Sequence, residues 1–397
     1  MKFSLLPPLS LYIHLPWCEK KCPYCDFNSH ASSDFDEKAY IKALIDDLQQ
    51  DLPLIWGRSI ISIFIGGGTP SLFSGDAIDQ LLSDLRACLN FSASIEITIE
   101  ANPGSADEAN FKDYRQAGVN RISIGIQSFD DASLKAIGRI HHAEQSLSSV
   151  SKAKQAGFDN INLDLMFGLP AQSLTQSQRD LKQAIALKPQ HISLYQLTIE
   201  PNTLFDTQTP QNLPDDDLCW EMEQQAQTIL YQSGYARYEI SAYAEAGRQS
   251  KHNQNYWQFG DYVGIGAGAH GKITLPSEQR ILRRTRKRQP KAYLQQPAHS
   301  ISEERELNSE DVIFEFMLNA LRLTDGFEKT LFTTHTGLNF SCIEQPLRIA
   351  QTKGLISVTN HSVKPTAFGL QFHNDLQSLF LNIDSSKNVQ IEPETHF

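Results

Sequence analysis

The chain has 397 residues, of which 40% are apolar and 20% are charged, as in an ordinary soluble globular protein. This length suits one large domain together with a smaller one. The formal net charge of −11 argues against a general nucleic-acid binder, which carries a basic surface. No apolar run approaches the ~18–20 residues that a membrane span requires, so we expect no transmembrane segment.

The first predicted element is a strand over Leu11–Leu15, and a cysteine-rich loop follows it at once. The loop has the spacing C-x3-C-x2-C and contains Cys18, Cys22 and Cys25. Three thiolates on a tight loop can hold three irons of a [4Fe-4S] cluster and leave the fourth iron open to another ligand. The alternatives are a redox cysteine pair or a zinc site with His14 or His30 as fourth ligand. The remaining cysteines are scattered, which is typical of a cytosolic protein.

Apolar strands then alternate with segments of helical periodicity. The predicted strands are Leu11–Leu15, Ile60–Ile65, Ile95–Ile99, Arg121–Ile126, Ile161–Leu165 and His191–Leu197. The predicted helices are Asp36–Gln50, Ser74–Cys88, Ala106–Ala117, Ser177–Leu187 and Asp215–Gln232, with further helical pieces reaching about residue 155. This α/β alternation predicts a parallel sheet. Because eight units close a TIM barrel, six units predict an open, partial (β/α)6 barrel.

Glycine-rich and polar motifs follow the strands at their carboxyl ends, where ligands bind in parallel α/β sheets. Gly66–Pro70 can bring bare backbone next to a ligand. Glu100 and Asp164 offer carboxylates for an ammonium group or ribose hydroxyls, and Gln127 offers a neutral amide. Arg139 can bind a carboxylate in bidentate fashion. Each of these residues alone is more often an ordinary loop residue, but together on one rim they indicate one ligand site.

Beyond about residue 202 the alternation becomes irregular. A glycine-rich stretch lies at Gly264–His270, and a basic run, Arg283–Arg288, is expected to form a solvated loop. Predicted helices around Val312–Leu323 and Cys342–Lys353, followed by Gly354–Thr359, suit a small winged-helix-like module. We therefore predict a barrel over residues 1–235, an α/β extension over 236–300 and a small helical C-terminal domain over 301–397.

Together the motifs resemble the oxygen-independent coproporphyrinogen oxidase (HemN-like) branch of the radical S-adenosylmethionine (SAM) proteins. The resemblance spans nearly the whole chain and rests on Tyr12–Cys18, the cysteine loop, Gly66–Pro70, Glu100–Pro103, Gly125–Phe129 and Asp164–Pro170. It implies a [4Fe-4S] cluster whose open iron chelates SAM, and which passes an electron to SAM to give a 5′-deoxyadenosyl radical.

The resemblance also implies roles for individual residues. The implied cluster ligands are Cys18, Cys22 and Cys25. The implied SAM contacts are Tyr12, Tyr24, Gly67, Gly68, Thr69, Glu100, Gln127, Arg139 and Asp164.

Two features separate this chain from the oxidases. The oxidases continue their loop as C-x3-C-x2-C-x-C, whereas Phe27 stands two residues after Cys25 here. They also carry an N-terminal extension, for which a strand beginning near Leu11 leaves no room. Both features match the HemW-type haem chaperones, in which the HNxxYW motif seen here at His252–Trp257 is also characteristic.

We therefore expect a cytoplasmic chaperone that binds haem as cargo and transfers it to haem-accepting proteins, with membrane-associated acceptors and a homodimer as further expectations. Coproporphyrinogen III oxidation is the alternative function, and no catalytic residue is assigned. His252 is the candidate haem ligand, because a neutral imidazole is an ordinary axial ligand and Tyr256 and Trp257 offer flat apolar surface. From chemistry alone, a surface or hydrogen-bonded histidine is the alternative. The basic run at 283–288 offers a second, less favoured role as partner of haem propionates.

Overall fold

The structure is a computed structural model that describes residues 1–3, 5–32, 34–104 and 110–381. Its strands are β1 (Leu9–Leu15), β2 (Trp17–Cys18), β3 (His30–Ala31), β4 (Ser59–Gly67), β5 (Asn90–Ala101), β6 (Arg121–Gln127), β7 (Ile161–Phe167), β8 (His191–Gln196), β9 (Ala236–Glu239), β10 (Ala242–Ala244), β11 (Asp261–Ile265), β12 (His270–Leu275), β13 (Arg280–Arg286), β14 (Ile301–Glu306), β15 (Phe327–Glu328), β16 (Ile356–Val358) and β17 (Ser362–Pro365).

The α-helices fall largely where the helical periodicity predicts them. They are α1 (Glu37–Leu48), α2 (Gly75–Cys88), α3 (Phe111–Ala117), α4 (Asp131–Ala136), α5 (Ala143–Gln155), α6 (Leu174–Ala186), α7 (Leu204–Thr207), α8 (Asp216–Gln232), α9 (Lys251–Trp257), α10 (Pro290–Gln295), α11 (Ser309–Ala320), α12 (Lys329–Thr336), α13 (Glu344–Thr352), α14 (Ala367–Gln371) and α15 (His373–Ser378). Residues 106–109 of the predicted third helix lie outside the described residues. No helix among the described residues is long and apolar enough to cross a bilayer.

The six predicted strands are neighbours in one large sheet, in the order β1-β4-β5-β6-β7-β8. Each pairs in parallel with the next, with helices in the connections. Sequential parallel strands with helical crossovers produce a barrel wall, and six of them leave it open. The predicted partial (β/α)6 barrel is therefore confirmed.

The two faces of the barrel wall differ in chemistry because successive side chains on a strand point to opposite sides. Ile63 and Ile97 illustrate the outer face, which packs against the helices in the main apolar core. Ser62, Thr98 and Arg121 illustrate the inner face, which is buried but polar. The parallel wall thus encloses polar side chains, and these face the barrel cavity described below.

The sheet continues on both sides of the parallel wall. Beyond β8, strands β10 and β9 add in antiparallel fashion. Beyond β1, strand β11 adds in parallel, and β12, β13 and β14 follow in antiparallel order. Strand β1, the first element of the chain, therefore lies inside the sheet between β4 and β11. The predicted division at residues 235 and 300 remains a prediction, since strands from both sides of residue 235 share this sheet.

The prediction of a solvated loop for the basic run is wrong. Its first residues lie on β13, where the Arg286 side chain is buried and donates to Asp47 of α1 at 2.7 Å and to Asp51. On the same strand Arg283 pairs with Glu315. Because Arg283 and Arg286 are paired with these carboxylates, their positive charges stabilise the packing of β13 and are not available to a haem propionate.

The C-terminal region is helical, as predicted, and has its own apolar core. Helices α11, α12 and α13 pack with a small sheet of order β15-β17-β16. The sequence predicted two helices and a hairpin here; the structure adds the helix Lys329–Thr336 between them.

Candidate functional site

The cysteine loop leaves the carboxyl end of β1 and is closed at its base by the short strands β2 and β3. His30 N–H donates to the carbonyl of Pro16 at 2.7 Å, and Ser32 N–H donates to that of Cys18 at 3.0 Å. Cys18 is buried, whereas Cys22 and Cys25 are partly exposed. Burial raises the pKa of the Cys18 and Cys25 thiols, so iron binding is what would hold them as thiolates.

The glycine stretch at the end of β4 passes directly beneath this loop. Gly68 N–H donates to the carbonyl of Leu15 at 2.8 Å, and Thr69 N–H donates to that of Trp17 at 2.7 Å. A Cβ atom on Gly68 would overlap the Trp17 carbonyl, and Gly67 has a φ of +114°, which side-chain-bearing residues rarely adopt. Glycine is therefore required here because two backbone segments meet in contact.

A cavity of about 500 Å³ opens between the cysteine loop and the carboxyl ends of the strands. It collects most of the residues that the sequence assigned to the cluster and to SAM. The predicted residues that line it are Cys18, Cys22, Cys25, Tyr24, Gly67, Gly68, Thr69, Glu100, Gln127, Arg139 and Asp164. Further lining residues, Asn102, Ser123, Ser193, Tyr195, Glu239, Ser241, Asn253 and Arg322, were not predicted.

Glu100 and Asp164 are the two carboxylates that face this cavity from the predicted set. Glu100 accepts a hydrogen bond from Gly67 N–H at 3.2 Å, and Asp164 accepts one from Ser123 Oγ at 2.9 Å. Burial, and then the charge of Asp164, raises the pKa of Glu100 to about 8. Burial also raises the pKa of Asp164. An ammonium group in the cavity would restore the ionised form of Glu100, so the pair is suited to a cationic ligand.

Arg139 connects the cysteine loop to the strand ends. Its guanidinium donates to Asn102 Oδ1 at 2.6 Å and to the Gly125 carbonyl at 2.7 Å, and lies 3.7 Å from Cys22 Sγ. Asn102 in turn donates to Thr69 Oγ1 at 2.9 Å. Asn102 lies inside the Glu-Ala-Asn-Pro motif, so the sequence carried a signal for it, although no role was assigned.

Gln127 has a φ of +67°, a conformation that a non-glycine residue seldom adopts and that occurs at functional sites. Tyr195 Oη donates to Gln127 Oε1 at 2.7 Å, which fixes the amide so that its NH2 group remains available. Tyr195 was missed because the alternation of β8 shows only that its side chain faces inward, not what it meets.

Tyr12 is the one predicted SAM contact that does not line the cavity. Its hydroxyl lies 3.0 Å from His14 Nδ1, and His14 Nε2 lies 2.8 Å from the carbonyl of Asn28 in the cysteine loop. Tyr12 therefore supports the loop through His14. Since both nitrogens of His14 are occupied, this histidine is not placed to serve as a zinc ligand.

The structure also separates His252 from the cavity. His252 is a residue of α9, and its side chain is only 1% exposed. Its Nδ1 atom lies 3.1 Å from Ser62 Oγ. The imidazole packs between Phe64 and Tyr256, with ring centroids 5.1 and 4.6 Å away. Burial lowers the pKa of His252 to about 3. A porphyrin has no access to this imidazole in the described packing, so these residues do not fit a haem.

Asn255 and Trp257 of the HNxxYW motif are also engaged in packing, whereas Asn253 lines the cavity. Asn255 Nδ2 donates to Ser10 Oγ at 2.9 Å and to the Asp261 carbonyl at 2.8 Å. The Trp257 ring lies 4.3 Å below the guanidinium of Arg322, which follows α11. Helix α9 thus covers the amino-terminal end of the barrel and joins it to the C-terminal region.

The donor set at the cavity fits a [4Fe-4S] cluster and SAM. Three cysteine side chains face one space, and a guanidinium lies next to one of them. Two buried carboxylates lie on the same rim, where a cation would stabilise their ionised forms. Neither of the histidines considered as zinc ligands, His14 and His30, is among the described residues that line the cavity.

Comparison with known proteins agrees with this geometry. Residues 12–182 match the model of the radical SAM superfamily, and residues 307–372 match that of the HemN C-terminal domain. The chain is 49% identical to the heme chaperone HemW of Haemophilus influenzae, covering 95% of this chain and 98% of the relative. It is 48% identical to the heme chaperone HemW of Escherichia coli, covering 95% and 99%.

A more distant relative and a solved structure extend this likeness. The heme chaperone HemW of Bacillus subtilis is 34% identical, covering 94% of this chain and 99% of the relative. Coproporphyrinogen III oxidase (HemN) from Escherichia coli superposes with a TM-score of 0.80 at 24% identity, covering 95% of this chain and 91% of the other. At that identity the superposition shows a shared fold.

Proposed function

Because this chain belongs to the HemW family within the radical SAM superfamily, we propose that it is a haem chaperone that binds haem and transfers it to haem-accepting proteins. A [4Fe-4S] cluster on Cys18, Cys22 and Cys25, together with SAM, supports that transfer. The observation that carries the proposal is the barrel cavity, in which the three cysteines meet the carboxylates and glycine backbone that a SAM site requires.

Within this cavity we assign SAM-binding roles by chemistry. Glu100 and Asp164 take the cationic amino group, and Arg139 takes the carboxylate with the help of Asn102. Gln127 and the backbone at Gly67–Thr69 bind the remaining polar atoms, and Tyr24 packs at the cavity wall. Tyr12 acts indirectly, through His14 and the cysteine loop. When bound, the cluster supplies one electron at a time to its ligand.

Haem is the cargo in this proposal, and its ligand is left unassigned. His252 becomes a candidate only in a state in which α9 has moved away from β4, because the described packing leaves no space beside the imidazole. The proposal further places the protein in the cytoplasm, and it includes membrane-associated acceptors and a homodimer.

The first experiment is anaerobic incubation of the cluster-reconstituted protein with coproporphyrinogen III, SAM and a reductant. We expect no protoporphyrinogen, because Phe27 replaces the fourth loop cysteine of the oxidases and is 61% exposed at the loop surface. Formation of protoporphyrinogen would establish the alternative function, an oxygen-independent coproporphyrinogen III oxidase.

The second experiment measures haem directly. Haem is added anaerobically, binding is followed by the visible absorption spectrum, and transfer is followed by the spectrum and activity of an apo-haemoprotein. We expect binding and transfer by the cluster-loaded protein, and loss of transfer in Cys25→Ser. Cys88→Ser is the matched control, because Cys88 is exposed on α2, outside the set of residues that line the cavity. Failure of the loaded wild-type protein to bind haem would refute the chaperone function.

A further inference from the structure

Inside the barrel lies an arginine that the proposed function has not used. Arg121 begins β6, faces the polar interior and is only 2% exposed. Its Nε is buried without a hydrogen-bond partner, and among the described residues no carboxylate forms an ion pair with its guanidinium. Buried arginines are almost always paired, because an unpaired charge inside a protein is costly.

The strand register places Arg121 one layer beneath the SAM-binding carboxylates. Arg121 pairs with Thr98 of β5, and Ser123 pairs with Glu100. Glu100 and Thr98 lie on the same face of β5 two residues apart, a separation of about 7 Å along a strand. Ser123 in turn donates to Asp164 at 2.9 Å. The guanidinium is therefore close to both carboxylates without touching either.

The other groups that face Arg121 include one further carboxylate, Glu96, two residues before Thr98. Glu96 accepts from the backbone N–H of His252 at 3.3 Å and lies 3.5 Å from Ser250 Oγ, so it is held toward α9 and forms no direct ion pair with Arg121. His191, His252 and Tyr238 also face this interior. Burial lowers the pKa of both histidines and raises that of Tyr238, so all three are neutral at pH 7.

We propose that Arg121 is a positioning residue of the SAM site, a buried positive charge that makes Glu100 and Asp164 easier to ionise when a cationic amino group enters. The inference rests on the proposed SAM site and adds a residue to it. The charge of Arg121 opposes the rise in the pKa of Glu100 and Asp164 that burial causes. In a low-dielectric interior such an interaction acts over the distance of one strand layer, since little water screens it.

The test uses the cluster-reconstituted full chain and measures the dissociation constant of SAM by calorimetry at pH 6.5, 7.5 and 9.0. We expect Arg121→Met to weaken SAM binding about tenfold or more at pH 7.5 and to recover most of the loss at pH 9.0, where the carboxylates ionise unaided. Arg121→Lys keeps the charge and should stay within about threefold of wild type at pH 7.5. Thr98→Val is the matched control, because it changes a neutral side chain of the same layer.

Three results would overturn the inference. The first is wild-type affinity and pH dependence in Arg121→Met. The second is an equal loss at every pH in that variant, which would indicate a packing role alone. The third, which also decides the matter if Arg121→Met does not fold, is a loss of more than about tenfold in Arg121→Lys at pH 7.5 with iron content unchanged. Absence of SAM binding by loaded wild type would instead refute the SAM site itself.

Discussion

Replacing His252 by methionine tests whether the imidazole of the HNxxYW helix is enclosed in the folded protein. The imidazole is 1% exposed, and burial lowers its pKa from 6.5 to about 3. Below pH 6.5 the unfolded chain therefore binds a proton that the folded chain excludes. The stability that the neutral imidazole of His252 gives the folded chain is therefore complete above pH 6.5, and it is lost as the pH falls toward 3. Between pH 7.5 and pH 5 the loss amounts to about 2 kcal/mol, at 1.36 kcal/mol for each pH unit below 6.5.

Methionine fills a similar volume and does not titrate. At pH 7.5 we expect His252→Met to be less stable than wild type by about 1 kcal/mol, the value of one hydrogen bond. Ser62 is not orphaned, because its hydroxyl also lies 2.7 Å from Ser10 Oγ. At pH 5 wild type has lost about 2 kcal/mol that the variant has not, so the order of stability should reverse.

The assay is anaerobic urea unfolding at both pH values, followed by circular dichroism. Other buried histidines, such as His191, titrate in both proteins and cancel in the comparison. His361→Met is the control, because His361 is exposed in the turn between β16 and β17 and should leave the pH dependence unchanged. If the difference between wild type and His252→Met were the same at pH 7.5 and pH 5, His252 would titrate as a solvated residue. Haem ligation at that position would then regain its structural basis.

Three further predictions concern the cluster, the glycine stretch and the sheet extension. Cys25→Ser should lose the brown colour and acid-labile sulfide of the reconstituted protein, whereas Cys88→Ser keeps both; equal iron in the two variants would contradict the cluster assignment. Gly68→Ala should weaken SAM binding about tenfold or more by displacing the cysteine loop, whereas Gly234→Ala, with open space around its Cα, has no effect on SAM. Arg286→Met leaves Asp47 buried without a cation, whereas Asp51 keeps Arg284, and should cost about 3 kcal/mol in urea unfolding; a cost below about 1 kcal/mol would mean that the neutral donors around Asp47 suffice.

Local patterns in the sequence were sufficient to predict most strands and helices of the barrel. The run Ile60–Ile65 reads as a buried strand because it is almost continuously apolar, as expected where both faces of a parallel sheet are covered. The motifs at strand ends could be placed together because parallel strands bring their carboxyl ends to one edge. Glu100 and Asp164 were found in this way, about sixty residues apart in the chain and on one cavity wall.

What the sequence could not provide depends on distant partners. Arg286 reads as a surface residue until Asp47, which precedes it by more than two hundred residues, is seen beside it. His252 lies in a motif whose residue types suit haem, but only the packing of α9 against Ser62 and Phe64 reveals that the ring is enclosed. Arg121 was assigned to no motif, because its proposed role becomes visible only from the register between β5 and β6.

The central position of β1 also governs how this protein is made. Its residues pair on one side with β4 and on the other with β11, whose Asp261 lies about 250 residues later. At a synthesis rate of about 5–20 residues per second, that side of β1 stays unpaired on the ribosome for about 10–50 s. Over the same interval the cysteine loop lacks its late anchor, the bonds from Asn28 to the carbonyls of Ala267 and Arg288. A nascent chain therefore exposes an aggregation-prone strand edge together with three free thiols, and the loop acquires its finished shape for iron only after residue 288 has been made.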